Sequence, residues 1–308
     1  MENFSPDSSE PYPLIDAIDH EILMHRDIHF GGQFSVMLEY YEQEGKGIQP
    51  EFTLKRIEEL AQLEIALQQD LAALFLSGHE VQQVADSREA YRQLRAVYTI
   101  KNPKSSHPRL LADLILAEEE EPEKEIQAIV SEKGSMVPIL IDFISKDEFY
   151  KSTFPGYGQA PILAAKCLGL IGDKRAIIAL FEAINQTDFF SDEQILKALK
   201  AIGNPAKEFL LKVIKGRPLN EDNEKAAIAL IEFREDPEVA LMGFELLQQE
   251  DVQKDPCLST YLALICAGLK DLPQREAFIQ WSQQAKLPAV LREDIKALIH
   301  EWENSQDV

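Results

Sequence analysis

The chain has 308 residues, 53 of them acidic and 31 basic, for a net charge of −22 at neutral pH. Hydrophobic residues make up 45%, too many for a disordered chain, yet no run of 18 uncharged apolar residues offers a membrane-spanning helix. Acids outnumber bases in both halves, so neither carries the basic footprint of a nucleic-acid or anionic-membrane binder; the expected partner is another protein, of basic character.

The opening MENFSPDSSEPYP is acidic and rich in Pro and Ser, with no basic region leading into an apolar one. Residues 1–12 therefore read as a disordered tail, and the chain as a cytoplasmic protein without a signal peptide. Cys167, Cys257 and Cys266 form no C-x-x-C pair and read as reduced, buried thiols.

From Leu14 the pattern is helical almost throughout. Ile15, Ile18, Ile22 and Leu23 keep a 3.6-residue period until Gly31-Gly32 breaks it. Phe34, Met37, Leu38 and Tyr41 form the next stripe, closed by Gly45-Lys46-Gly47. One long helix is expected after Pro50, carried by Ile57, Leu60, Leu67, Leu71 and Leu74. Asp86 or Ser87 is expected to cap the following helix, on which Leu94, Val97 and Tyr98 share a face, and Asn102-Pro103 stops it. A short helix around Leu110, Leu111, Leu114 and Ile115 runs into Glu118–Glu121 and Pro122, whose mutual repulsion marks the expected boundary between an N-terminal helical region (13–121) and a second region (122–303), with 304–308 as a tail. The second region opens with a helix pair turning at Gly134, followed by a long connection over 146–159.

One motif is then written three times: ILAAKCLGLIGDKRAIIALFEAI at 162–184, ILKALKAIGNPAKEFLLKVI at 195–214, and AAIALIEFREDPEVALMGFELL at 226–247. Gly172, Gly203 and Arg234 are spaced by 31 residues and bring Leu168, Leu199 and Leu230 into register, together with Ile171, Ile202 and Phe233, and with Leu180, Leu211 and Met242. Cys167, Ala198 and Ala229 match just upstream. Neither helix of a copy can bury its stripe alone, so the copies must share a core. Residues 256–268 and 273–285 look like a fourth, degenerate pair, and 289–302 like a closing helix. No strand alternation is long enough to build a sheet.

The first copy resembles a HEAT repeat, of the short kind typified by the HEAT-like repeats of phycobilisome lyases. The string that carries the resemblance runs from Ala164 to Ala176, AAKCLGLIGDKRA, with Gly172 opening the turn and Asp173 and Arg175 in it. The second copy has Asn204-Pro205 in the turn and the third has Arg234 in place of Gly. The resemblance implies an all-α fold, an α–α superhelix preceded by the N-terminal helical region. It assigns Gly172, Asp173, Arg175, Gly203 and Asn204 to repeat turns that tie neighbours together. Because such folds serve scaffolds, adaptors, lyases and glycosylases alike, it leaves activity open.

Three clusters are candidate sites. His20, His25 and His29 fall within ten residues; His25 and His29, at i and i+4, would share a helix face as two metal-ligating imidazoles do, with Asp16 and Glu21 nearby. An amphipathic helix with exposed histidines is the plainer alternative. The long connection carries Tyr150, Phe154 and Tyr157, and the equivalent loop one repeat on carries Phe189 and Phe190; together they form a candidate aromatic rim for a partner, or else fold back over their own helices. Second helices of HEAT repeats line a concave face, where Lys174, Glu182, Lys212 and Lys215 are candidate contacts. Adjacent acids such as Glu58-Glu59 are expected by chance at this composition. No Gly-rich phosphate loop or G-x-S-x-G appears, and no cofactor is expected. The leading expectation is a non-catalytic scaffold or adaptor; the alternatives are a lyase or chaperone-like factor cradling a small hydrophobic ligand, and a metal-binding N-terminal region.

Overall fold

Side-chain caps and left-handed residues, more than the apolar period, decide where the helices begin and end. The computed structural model describes residues 15–101, 104–119, 121–185, 189–284 and 287–304, with backbone alone at 189–191 and 284. The 1–12 tail, Leu14, the Asn102-Pro103 stop, Glu120, Thr187-Asp188, Ala285 and residues 305–308 lie outside the described residues. Every regular element among the described residues is helical, with eighteen α-helices and four 3-10 turns, so the protein is all-α.

The chain divides into two units, Met1–Ala128 with Asp147–Ala160, and Ile129–Lys146 with Pro161–Val308. The division falls a few residues beyond the glutamate run. The long connection, expected to belong to the repeats, belongs to the N-terminal unit.

In that unit α1 (Ala17–His29) starts at a capping box, Asp16 and Asp19 each accepting from the other's backbone N–H. Gly31 and Gly32, both left-handed, turn the chain into α2 (Phe34–Glu42). The helix expected from Pro50 begins instead at Leu54, where Thr53 accepts from Arg56 N, and it is two helices: α3 (Leu54–Leu67) ends on left-handed Gln68, and Asp70 caps a new start for α4 (Leu71–Phe75). The apolar period runs through this break, which is why it reads as continuous. α5 (Gly78–Ala96) is capped by Ser77 with Glu80, so Asp86 and Ser87 lie inside it rather than at its start. α6 (His107–Ile115) follows, then α7 (Glu123–Ser131), in which the division falls. α1 packs on α4 and α5, and α2 on α3. Ile22, Leu23, Met37, Ile57, Leu60 and Leu71 are fully buried at the centre.

The C-terminal unit comprises α8 (Val137–Ile144), α9 (Ala160–Ile171), α10 (Ile177–Ala183), α11 (Phe189–Ile202), α12 (Asn204–Ile214), α13 (Glu221–Ile231), α14 (Pro237–Leu247), the short α15 (Glu250–Gln253), α16 (Pro256–Cys266), α17 (Leu272–Gln284) and α18 (Ala289–Asn304). Each copy of the motif is a helix pair: α9 and α10, α11 and α12, α13 and α14. Leu168, Leu199 and Leu230 have no exposed surface, and Leu180, Leu211 and Met242 are buried with them. Each such side chain contributes roughly 1.5–3 kcal/mol of burial. Contacts run from α10 to α11, α11 to α12, α12 to α13, α13 to α16, α14 to α16 and α16 to α18. Gly172 and Gly203 close their first helices at φ +70 and +81, and a β-carbon on either would meet nothing within 4 Å. Their need for glycine is conformational, not spatial. Cys167 and Cys266 are buried, whereas Cys257 is exposed, because it sits on the first turn of α16 beside its Asp255 cap.

Candidate functional site

Among the described residues few polar side chains are buried, and most of them belong to the N-terminal unit: Asp19, His25, Arg26, Ser87 and Thr153 there, against Asn223 and Ser259 in the C-terminal unit. Arg26 is 1% exposed and its guanidinium meets three carboxylates, Asp27 and Glu64 with Asp70 at 2.8 Å. Asp19 is paired by Arg56 at 2.6 Å. Burial alone would raise the Asp19 carboxyl, but hydrogen bonds and charge from Arg56 win and hold it low.

The histidines are not the exposed face of an amphipathic helix. His25 is 1% exposed, and its ring lies among those of His29, Phe30, Tyr41, Phe52 and Tyr157, with centroids 4.6–6.1 Å away. Neither of its nitrogens has a hydrogen-bond partner. A neutral imidazole has one N–H to satisfy, so this arrangement costs about 1–3 kcal/mol. Burial pushes its pKa well down and the neighbouring His29 pushes it further; the Gly47 backbone pulls weakly the other way without making a hydrogen bond of ordinary geometry. His29 is fully engaged. Nε2 lies 2.8 Å from the Ser152 carbonyl, which can only accept, so Nε2 carries the proton; Nδ1 then accepts from the Tyr91 hydroxyl, also at 2.8 Å. Burial brings His29 down to about 4, with Ser152 partly opposing. His20 bonds Glu80 at 2.9 Å on the unit's surface.

The segment that reaches these histidines is the one with the aromatic residues. Gly156, Tyr157 and Gly158 are left-handed in succession, at φ +73, +62 and +74. Glycine takes that conformation freely, but Tyr157 holds it at a cost of order 1–3 kcal/mol. A β-carbon on Gly156 would lie 2.4 Å from the Ile115 carbonyl, so the backbone itself passes close to α6. The result carries the Tyr157 ring onto His29, at 4.5 Å between centroids, and flat against Gly47, where a β-carbon would come within 2.2 Å of it. Burial raises the Tyr157 phenol well above its ordinary value and a hydrogen bond with Tyr40 adds to this. Burial likewise pushes Tyr91 up to about 12, against a hydrogen bond from the Gly156 backbone. Thr153 accepts from Gln83 at 2.9 Å, tying the segment to α5 as well.

Tyr150, Phe154 and Tyr157, the candidate rim residues of this segment, are each partly buried within the N-terminal unit. Tyr157 points inward, Phe154 packs edge-on against Phe149 at 4.8 Å, and Tyr150 is half-buried in the same segment. Phe189 and Phe190 open α11 in the other unit, and their side chains lie outside the described residues. His25 and His29 share a face, but no group of three or more metal-ligating side chains gathers among the described residues, and a metal on His29 would have to displace Ser152 or Tyr91. Asp16, which caps α1, and Glu21, which is exposed, do not complete a set.

A concavity in the N-terminal unit, of about 260 Å³, lies between α1, α4 and α5 and is walled by Ala72, Leu76, Val81 and Val84. Its charged groups satisfy one another: Asp27 accepts from both Arg26 and Arg88, and Asp70 from Arg26.

In the C-terminal unit a series of polar contacts links one helix pair to the next, most of them at or near a turn. Asp173 accepts from the Arg175 backbone and side chain, which holds its carboxyl down to about 2, and the oriented Arg175 donates to the Gly134 carbonyl at 2.8 Å. One copy on, Lys200 donates to the Glu232 carbonyl, and Lys207 pairs with Asp236 at 2.7 Å and Glu238 at 3.2 Å. Arg217 bonds Asp251, Glu235 bonds Lys270, Thr260 bonds Asp294, and Trp302 donates to the Ala267 carbonyl. These ties join positions 29 to 41 residues apart. Lys212 and Lys215 are exposed on α12, with Lys174 and Glu182 exposed nearer the first copy. Sequence reasoning picked out Asp173 and Arg175 but not Lys200, Lys207, Glu235 or Lys270, whose only signal is charge beside a turn.

No protein-family model matches the chain, and no curated protein matches it.

Proposed function

We propose that the C-terminal unit is a stacked array of HEAT-like helix pairs and that the protein works as a non-catalytic scaffold, holding a segment of a basic partner protein. The observation that carries this reading is the series of polar bonds, from Arg175 with Gly134 to Trp302 with Ala267, recurring at roughly the length of the sequence motif. Bonds at that interval tie each copy to the next, as stacked repeats require. The second helices offer the contact surface. Ile178 on α10 is 58% exposed and Leu241 on α14 is 37% exposed, and the same two helices carry the exposed Glu182 and Glu245. Exposed apolar side chains among charged ones are the usual makings of an interaction patch. A chain of net charge −22 attracts basic surfaces over a range that salt shortens.

A small-ligand carrier is less well supported. The concavity between α1, α4 and α5 is smaller than the cavities that enclose most ligands, and its charges are already paired.

The test is quantitative capture on immobilised full-length protein, comparing the wild type with the Ile178→Ser, Leu241→Ser, Glu182→Lys, Glu245→Lys variant and with Lys101→Glu in the N-terminal unit. The proposal expects a saturable partner that is retained by Lys101→Glu, lost by the fourfold variant, and bound less tightly as salt rises. A partner bound equally by all three proteins contradicts it.

A further inference from the structure

The Asp147–Ala160 segment is held on the N-terminal unit by imidazoles that can hold it only while uncharged. His29 uses its single proton on the Ser152 carbonyl and its free lone pair on the Tyr91 hydroxyl, which the Gly156 backbone bonds in turn. A second proton, on Nδ1, would turn that acceptor into a donor facing a group already oriented to donate. His25 stands immediately behind, its ring 4.6 Å from that of His29, and neither of its nitrogens has anything to bond. A charge there would have no counter-ion and only the Gly47 backbone, outside ordinary hydrogen-bond geometry, to oppose the cost of burying it.

The surroundings supply no compensation. The pair is faced by the phenols of Tyr41 from α2, Tyr91 from α5 and Tyr157 from the segment, with Tyr40 one ring further out. The charged groups near those phenols are Glu118, which acts on Tyr91 and Tyr157, and Arg95, which lies over the Tyr91 ring; Lys46 is bound to the Ala117 carbonyl. Among the described residues no carboxylate is hydrogen-bonded to either imidazole. The segment, for its part, sits with Tyr157 in a left-handed backbone that it would leave if released.

We propose that His25 and His29 form an acid-released clasp, which keeps Asp147–Ala160 on the N-terminal unit at neutral pH and lets go of it when both rings take up protons. The direction follows from linkage. Burial depresses both imidazoles, His29 to about 4. At pH 7 they are neutral whether clasped or released. As pH falls below the ordinary histidine value of about 6.5, released rings bind protons and clasped ones do not, so release is favoured progressively until about pH 4. Each ring that release frees to take up a proton shifts the equilibrium by up to about 10-fold per pH unit in that window.

The experiment is hydrogen exchange of the intact protein between pH 7 and 4, corrected for intrinsic rates and read on peptides covering 150–158 and on α12 to α14. His25→Phe keeps an aromatic ring and removes the titrating nitrogens; His29→Gln keeps a donor for Ser152 and an acceptor for Tyr91 and cannot charge. In the wild type, protection over 150–158 should fall as the pH drops from about 6.5 to 4 while α12 to α14 stay protected. The double variant should keep 150–158 protected throughout. Identical pH profiles for the two proteins would overturn the clasp. Should the double variant fail to fold, the histidine ring resonances of the wild type decide: His29 titrating near its ordinary value while 150–158 stays protected would equally overturn it.

Discussion

The two units are assembled by different physics. In the N-terminal unit the interior is wired by specific polar contacts between residues distant in sequence, Arg26 with Glu64 and Asp70, Asp19 with Arg56, and His29 with Ser152. In the C-terminal unit the interior is mostly apolar and repeats, with Leu168, Leu199 and Leu230 at its centre, while most polar ties lie at or near the turns. A buried charge fails badly when one partner is lost, whereas a repeated apolar layer loses only the volume removed. The first unit should therefore be fragile at single positions and sensitive to pH, and the second tolerant and graded.

Four substitutions sharpen or break that contrast. Arg26→Ala empties a fully buried site and removes the cation that Asp27, Glu64 and Asp70 share, and should cost about 3 kcal/mol or more, read as a lowered urea midpoint for probes in α1 to α5. An unshifted midpoint would mean that the buried arginine contributes nothing. Leu199→Ala opens a cavity at a fully buried repeat position and should cost about 3 kcal/mol, seen by probes in α11 to α13. Next in size is Gly268→Ala, whose added carbon would lie 1.7 Å from the Arg234 carbonyl; the backbones must part, at about 1–3 kcal/mol in thermal melts. A neutral result there would remove the close approach of the third and fourth pairs. Smallest is Lys207→Ala, which cuts one turn-to-turn tie at the surface and should lower stability by under about 1 kcal/mol, less still in high salt. A loss as large as that of Arg26→Ala would show that the second unit is also wired through its charges.

The same contrast explains what could be read from the chain. The repeat was legible because its positions recur: Leu168, Leu199 and Leu230 share a register and share burial. The turn glycines were legible because Gly172 and Gly203 meet a conformational demand that sequence records directly. The break at Gln68 was not, since Leu71 continues the apolar period across it and left-handed glutamine leaves no mark. The fate of the histidines was hidden for a different reason. His25 and His29 look like an exposed pair until a segment 123 residues further on from His29 covers them, and no local pattern encodes that contact. Tyr157 was visible as an aromatic residue between two glycines, but a rim pointing outward and a plug pointing inward have the same composition. The positive φ shared by Gly156, Tyr157 and Gly158 separates the two, and it appears only in three dimensions.

The contrast turns on Asp147–Ala160, which lies between stretches of the C-terminal unit in sequence and belongs to the N-terminal unit in space. Native-state hydrogen exchange at pH 7 in rising urea tests this directly, because amides that open together report one cooperative unit. The amides of residues 152–158 should open at the same urea concentration as those of α1 and α5. If they open instead with α9 and α10, the segment belongs to the repeats and the two-unit account is wrong.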